Sequence, residues 1–271
     1  MTEAFWNDVL TFCQTTTQAV ANRIIDDFGK LSPERKTDGT LVTQADQWAD
    51  KTIREAIAAK FPDHGALTEE TEHCFPSQDW CWVVDPIDGT TNFTRGIPIW
   101  GISLGLLYKG TPVFGYVHFP QIGQSFHGYW YGESGLSGPT GAFCNGELIQ
   151  TSRDEPSLNH LFNLCARSTA VLKQKLPCKV RMIGVASYSL LLVASGAALG
   201  GVESTPKVWD VAAAWVILQA AGGVFVPLRP GSLFPLQVGK DYGQMPFTCL
   251  AAGREELVPV FKPFVAFLGE G

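Results

Sequence analysis

Two aspartates, Asp85 and Asp88, follow the apolar run 82–84 in the stretch WVVDPIDGTTNF, and Gly89, Thr90 and Thr91 come directly after them. Two like charges beside an apolar run are costly to bury unless a cation joins them. A hard divalent ion suits that role, because Mg²⁺ favours carboxylate oxygens and keeps several of its waters. Pro86 stiffens the turn, Gly89 lets backbone approach a ligand closely, and the amides of 89–91 offer an edge for an anion. Carboxylates for a metal beside amides for an anion is a layout for phosphate-ester chemistry. Taken alone, Asp-x-x-Asp-Gly after a strand reads more readily as a turn. Three more acidic positions stand in similar settings: Asp46 in LVTQAD, the pair Glu69-Glu70, and Asp210 in KVWDVAAAWVILQAAGG. Asp46 and Asp210 also read as helix-start carboxylates favoured by the macrodipole, and the Glu pair as a solvated loop. Together, the residues point to a metal-dependent site.

These residues need elements to hold them. Apolar residues recur at helical spacing over 4–28, and a second helix is expected over 43–61, stopped by Pro62. A short strand at 66–68 leads into Glu69-Glu70, and a loop covers 71–79. Residues 80–84 read as a strand, with the aspartates placed just past its end. Strands at 99–108, 112–119 and 124–131, separated by Gly and Pro turns, suggest an antiparallel meander. A glycine-rich loop at 132–141 precedes a hairpin over 142–151 that turns at Asn145-Gly146. Beyond it, strands are expected at 161–165, 179–182, 201–203, 224–227 and 248–252. Helices are expected at 187–195, at 210–221 with Asp210 opening it, and at 254–267. The change of style near residue 145 suggests two halves, 1–145 and 146–271.

Composition narrows the function classes. The 271 residues are 45% apolar and 17% charged, with a formal net charge of −6. That supports a sizeable core and excludes the broad basic surface that a nucleic-acid partner requires. No apolar stretch reaches a membrane span. The N-terminus lacks a secretory signal, and the seven scattered cysteines form no CxxC pair. These features read as free thiols in a cytoplasmic compartment, or an organelle reached through a lost transit peptide. No Cys-x₅-Arg motif, His or Ser stands out as a nucleophile, and the five histidines lack zinc-ligand spacing.

In order along the chain, KTDGTLVTQAD (36–46), TEE (68–70), WVVDPIDGTTNF (82–93), GAFCNG (141–146) and WDVAAAWVILQAAGG (209–223) resemble the inositol monophosphatase family of Mg²⁺-dependent, lithium-sensitive phosphatases. The resemblance implies an α/β (α+β) fold, a layered αβαβα sandwich of the inositol monophosphatase/fructose-1,6-bisphosphatase type, and commonly a homodimer. It implies two or three Mg²⁺ per site. Glu69, Asp85 and the carbonyl of Ile87 would hold the first, and Asp85, Asp88 and Asp210 the second, with Glu69 and waters serving a third. Thr90 and Asp46 would orient and deprotonate the attacking water, with Glu69 also in the catalytic set. Gly89, Thr90 and Thr91 would grip the phosphate. Glu203, Asp210 and Ala186 fall on the substrate side, and Lys36, Glu70 and Arg167 are further candidates.

The match loosens on the substrate side. Gly184-Val185-Ala186 stands where the family often has a hydroxyl at the central position, Leu199 where an Asp is often found, and Arg95 where a His is frequent. CARS (165–168) replaces a different loop, and its Arg167 either reaches a second anionic group or points to solvent. The expected activity is therefore a phosphomonoesterase on a small polyol phosphate, foremost myo-inositol monophosphate. The same chemistry on histidinol phosphate, a sugar bisphosphate or a 3′-phosphonucleotide is the alternative within the enzyme class. A regulatory or binding protein on the same fold is the alternative outside it.

Overall fold

The computed structural model describes residues 1–35 and 41–270. Six helices and fourteen strands are found among them. The chain opens with α1 (Glu3–Ile24), the paired strands β1 (Glu34–Arg35) and β2 (Leu41–Val42), and α2 (Gln44–Lys60). A sheet follows, built from β3 (Gly65–Thr68), β4 (Trp80–Asp88), β5 (Gly101–Tyr108), β6 (Thr111–Phe119), β7 (Gln124–Tyr129), β8 (Gly141–Cys144) and β9 (Glu147–Ile149). The single-turn helix α3 (Thr90–Thr94) lies between β4 and β5. The strands stand in sequence order; β3 and β4 are parallel and every later pair antiparallel. The β8–β9 turn has Asn145 and Gly146 both at positive φ (49° and 83°), the geometry that a two-residue hairpin favours.

A second sheet is made of β10 (Leu161–Leu164), β11 (Lys179–Arg181), β12 (Gly200–Glu203), β13 (Val224–Pro227) and β14 (Cys249–Ala252), in the order β11-β10-β12-β14-β13. The helices α4 (Ala186–Ala194), α5 (Val208–Ala220) and α6 (Val258–Val265) complete this half. The change of sheet falls after Ile149, since the β8–β9 hairpin pairs with β7.

Three apolar cores define five layers. Trp6, Val9, Phe12, Ile53 and Ile57 of α1 and α2 pack on one face of the first sheet against Trp82, Leu104 and Phe114. Val83, Val117 and Phe126 on the opposite face meet α4 and α5 through Leu190, Leu191, Ala213 and Ile217. Phe162, Val202 and Leu250 of the second sheet pack outward on Phe261 and Val265 of α6. The order is helix, sheet, helix, sheet, helix, the expected αβαβα sandwich. The middle helix α5 is buried almost all round, as a helix between two sheets must be. Its alanines allow close contact: a Cβ on Gly115 of β6 would collide with the Ala213 carbonyl.

Two of the departures from the expected bounds matter to the site. β4 does not stop at Val84; it runs through Asp88 with a shift in register, Asp85 lying opposite Ser103 and Asp88 opposite Gly101. β4 thus spends three steps where β5 spends two, which is a bulge. In a regular strand residues three apart point to opposite faces; the extra residue reverses that parity and turns both aspartates to one side. α5 starts two residues earlier than expected, so Asp210 is its third residue and not its first.

Candidate active site

Asp46 and Asp210 are set by the same local device. Each is the third residue of its helix and reaches back to the residue before it: Asp46 Oδ2 accepts from the Thr43 amide at 2.7 Å, and Asp210 Oδ2 from the Lys207 amide at 2.7 Å. Their reading as helix-start carboxylates is thus correct. It also serves the site, because one oxygen is fixed and the other is aimed. Thr43 Oγ1 adds a second hydrogen bond to Asp46 Oδ2 at 2.6 Å, and Asp46 Oδ1 accepts from the Thr90 hydroxyl at 3.1 Å. The Ile87 carbonyl lies 3.2 Å from that same hydroxyl.

The bulge fixes the other two aspartates. Asp85 Oδ1 accepts from the Ile87 amide at 3.0 Å, and Asp88 Oδ2 from the Ser187 amide at the start of α4, 2.8 Å away and 99 residues along the chain. Asp85, Asp88 and Asp210 each present an oxygen within 4.8 Å of the others. Burial, then the charges of Glu69, Asp88 and Asp210, push the Asp85 carboxyl well above its ordinary range. Burial raises Asp88 too, against the hydrogen bonds from Ser187. Asp210 is pushed up to about 7 by burial and the charge of Asp88, with the Lys207 amide opposing. Two buried carboxylates and a half-buried third that cannot all ionise comfortably beside one another fit a divalent cation, whose charge would relieve the repulsion. Asp85, Asp88 and Asp210, with Glu69 beside them, are the side chains to hold it.

A cavity of about 490 Å³ opens over this cluster, lined by Glu69, Asp85, Ile87, Asp88, Gly89, Thr90, Thr91, Arg167 and Asp210. A smaller recess of about 240 Å³ shares Asp88, Arg167 and Asp210 and adds Cys165, Val185, Ala186 and Glu203. Gly89 has φ +93°, and a Cβ there would stand 2.7 Å from Val185 Cγ2, so both backbone and packing require glycine. Glu203, at the end of β12, is buried, and that burial holds its carboxyl well above its usual range, with nearby Cys165 adding to the effect. Glu70 lines neither cavity. Lys36 lies outside the described residues.

The chain matches the model of the inositol monophosphatase family over residues 6–258. It belongs to that family. It is 33% identical to a fructose-1,6-bisphosphatase/inositol-1-monophosphatase of Aquifex aeolicus, over 74% of this chain and 78% of that one. It is 32% identical to a histidinol-phosphatase of Chlorobaculum parvum, over 73% and 78%. Among solved structures, an IMPase of Thermotoga maritima superposes with a TM-score of 0.78 at 26% identity, covering 97% of this chain and 100% of the other. The chain is a phosphatase, a phosphoric monoester hydrolase of the inositol monophosphatase type. No described helix is long and apolar enough to cross a membrane, and all seven cysteines are free.

Several lining residues escaped the sequence reading. Lys207, three residues before Asp210, had a signal in its spacing, but its ammonium turns to the Gly243 carbonyl at 2.6 Å. Thr205, Trp209, Gln244 and Pro246 also line the larger cavity. Gln244 and Pro246 come from a connecting segment with no motif. Cys165, in the CARS loop, lines the smaller recess. Its burial is outweighed by hydrogen bonds with Ser168 and Ser204, which bring the thiol below its ordinary value.

Proposed function

We propose that this cavity hydrolyses the phosphate monoester of a small polyol with two or three Mg²⁺, and that myo-inositol monophosphate is the foremost substrate. The observation that carries the reading is the convergence of Asp85, Asp88 and Asp210 beside the Thr90–Asp46 hydrogen bond. Divalent ions held there supply charge neutralisation and a lowered pKa for coordinated water. Glu69 and the Ile87 carbonyl complete the ligand set. The Thr90 hydroxyl, held between Asp46 and Ile87, aims the proton of an attacking water toward Asp46. Asp46 is a weak base on its own, and its two contacts from Thr43 hold it in place. The Gly89–Thr91 backbone faces the phosphate, while Glu203 and the Ala186 end of α4 face the alcohol. The reading is direct attack by water, with no covalent intermediate.

A second reading, a sugar bisphosphate, is favoured by Arg167, which lines both the cavity and its recess. Histidinol phosphate carries a cation and gains nothing from that guanidinium; a 3′-phosphonucleotide is the remaining ester. A binding protein without turnover is the rival from outside the enzyme class. A panel of these esters assayed with Mg²⁺ and ranked by kcat/KM separates them. The account expects inositol monophosphate to lead; a bisphosphate in first place shifts the assignment to the Arg167 reading. No phosphate release from any ester by a metal-loaded protein would remove the enzymatic account.

A further inference from the structure

Glu69 and Asp210 face the same cavity from distant parts of the chain, and a side chain outside the cavity connects their supports. Glu69 is the first residue after β3. Its amide donates to the Val84 carbonyl at 3.2 Å, which continues the parallel pairing with β4. Its carbonyl lies 2.9 Å from His73 Nε2. A carbonyl can only accept, so Nε2 carries the proton. The His73 ring stacks on the indole of Trp209, with centroids 4.8 Å apart and planes 30° apart, and Trp209 directly precedes Asp210.

The segment before β14 lies against the Nδ1 end of the ring. A Cβ on Gly243 would overlap His73 Nδ1, so only glycine lets this segment sit so close. The Tyr242 amide donates to the His73 carbonyl at 3.0 Å, and the Phe75 amide to the Lys240 carbonyl at 2.9 Å. Lys207 closes the circuit: its ammonium reaches the Gly243 carbonyl at 2.6 Å, while its amide holds Asp210 at 2.7 Å. The imidazole thus lies between the Trp209 indole and the Gly243 segment, with its Nε2–H donated to the Glu69 carbonyl.

We propose that His73 is a positioning residue that sets where Glu69 stands relative to Asp210, and so tunes the affinity of the site for divalent cations. This rests on the reading of those carboxylates as metal ligands. Partners one step beyond the ligands matter because a site tolerates only about half an ångström of misplacement; their loss commonly weakens metal binding by about 10- to 100-fold. His73 lines neither cavity. Its mark is therefore a change in metal affinity, with turnover at saturating metal little altered.

The test is a titration of full-length, metal-free protein with Mn²⁺, followed by calorimetry or by the spin resonance of the free ion. His73→Ala is expected to weaken Mn²⁺ binding by about tenfold. His73→Phe keeps the stack without the donor, and His73→Gln keeps a donor without the stack; each is expected to recover part of the loss. With Mg²⁺ in excess, kcat of all three should stay within about twofold of wild type, as expected when only ground-state binding changes. Wild-type Mn²⁺ affinity in folded His73→Ala, even with a lowered Tm, would reduce His73 to a packing residue and overturn the proposal. If His73→Ala does not fold, wild-type affinity in both other variants does the same. Failure of the wild-type protein itself to bind Mn²⁺ would instead take down the metal-site reading beneath it.

Discussion

The two walls of the cavity are held by different kinds of contact. On the acidic wall, three of the four aspartate settings are closed within a few residues: Thr43 with Asp46, Lys207 with Asp210, and Asp85 with Ile87. Asp88 is held by a distant partner instead, the Ser187 amide, and Asp46 adds the Thr90 hydroxyl to its local contacts. The opposite wall brings together Cys165, Arg167, Val185, Ala186, Glu203 and Thr205 from connections around the second sheet. Arg167 on that wall is exposed, whereas Asp85 and Asp88 are buried. The acidic wall is thus built for a fixed arrangement of like charges. The other wall combines buried Glu203 and Val185 with exposed Arg167, and in the proposed reading its residues select among alcohols. Chemistry should be sensitive to the first, and substrate preference to the second.

The largest break expected in this contrast comes from Asp85→Asn or Asp210→Asn. Either should lower kcat/KM by about 10³-fold, several kcal/mol of lost charge stabilisation. Either should also raise the Tm of the metal-free protein, because a repelled buried charge is gone. Wild-type turnover in either variant would disconnect the cluster from catalysis. Thr90→Val should fold normally and lose about 10²-fold in kcat, the scale of one proton-handling group; an unchanged kcat would leave the Thr90–Asp46 bond a structural one. Arg167→Ala should leave inositol monophosphate hydrolysis nearly intact and lower kcat/KM for a bisphosphate by about tenfold, the worth of one charge-assisted hydrogen bond. Equal effects on both esters would place that guanidinium in solvent.

The smallest effect is on stability against pH. Asp210 has a folded pKa pushed up to about 7, and Asp85 is also raised well above its ordinary range. A carboxyl raised on folding binds more protons in the folded than in the unfolded state, so stability falls as pH rises through that range. Thermal unfolding of metal-free protein should show a lower Tm at pH 8 than at pH 6. Added Mg²⁺ should stabilise more at pH 8, where the ligands are ionised. A metal-free Tm that climbs from pH 6 to pH 8 would contradict the crowding of charge described here.

The same contrast explains what the sequence disclosed. Alternation and helical spacing placed the sheet, the meander and most helices, and the Asn145-Gly146 turn was legible because both residues tolerate positive φ. Asp46 and Asp210 could be found because acidic residues at the start of an apolar helical run are a short-range signal. The bulge at Pro86-Ile87 was not legible: a stiff proline reads as the end of a strand, while pairing with β5 carries β4 on to Asp88. Gln244, Pro246 and His73 gave no sign, since their places depend on contacts such as Tyr242 to His73 that join segments far apart in the chain. The exposure of Arg167 and the packing of Val185 on Gly89 are likewise tertiary facts.

The central claim is that Asp85, Asp88 and Asp210, with Glu69 beside them, hold shared divalent cations. Anomalous diffraction from crystals grown with Mn²⁺ tests it most directly. The account predicts at least two peaks within coordinating distance of these carboxylates, one of them bridged by Asp85. Well-ordered crystals that bind Mn²⁺ elsewhere, or show no peak among these four side chains, would contradict it.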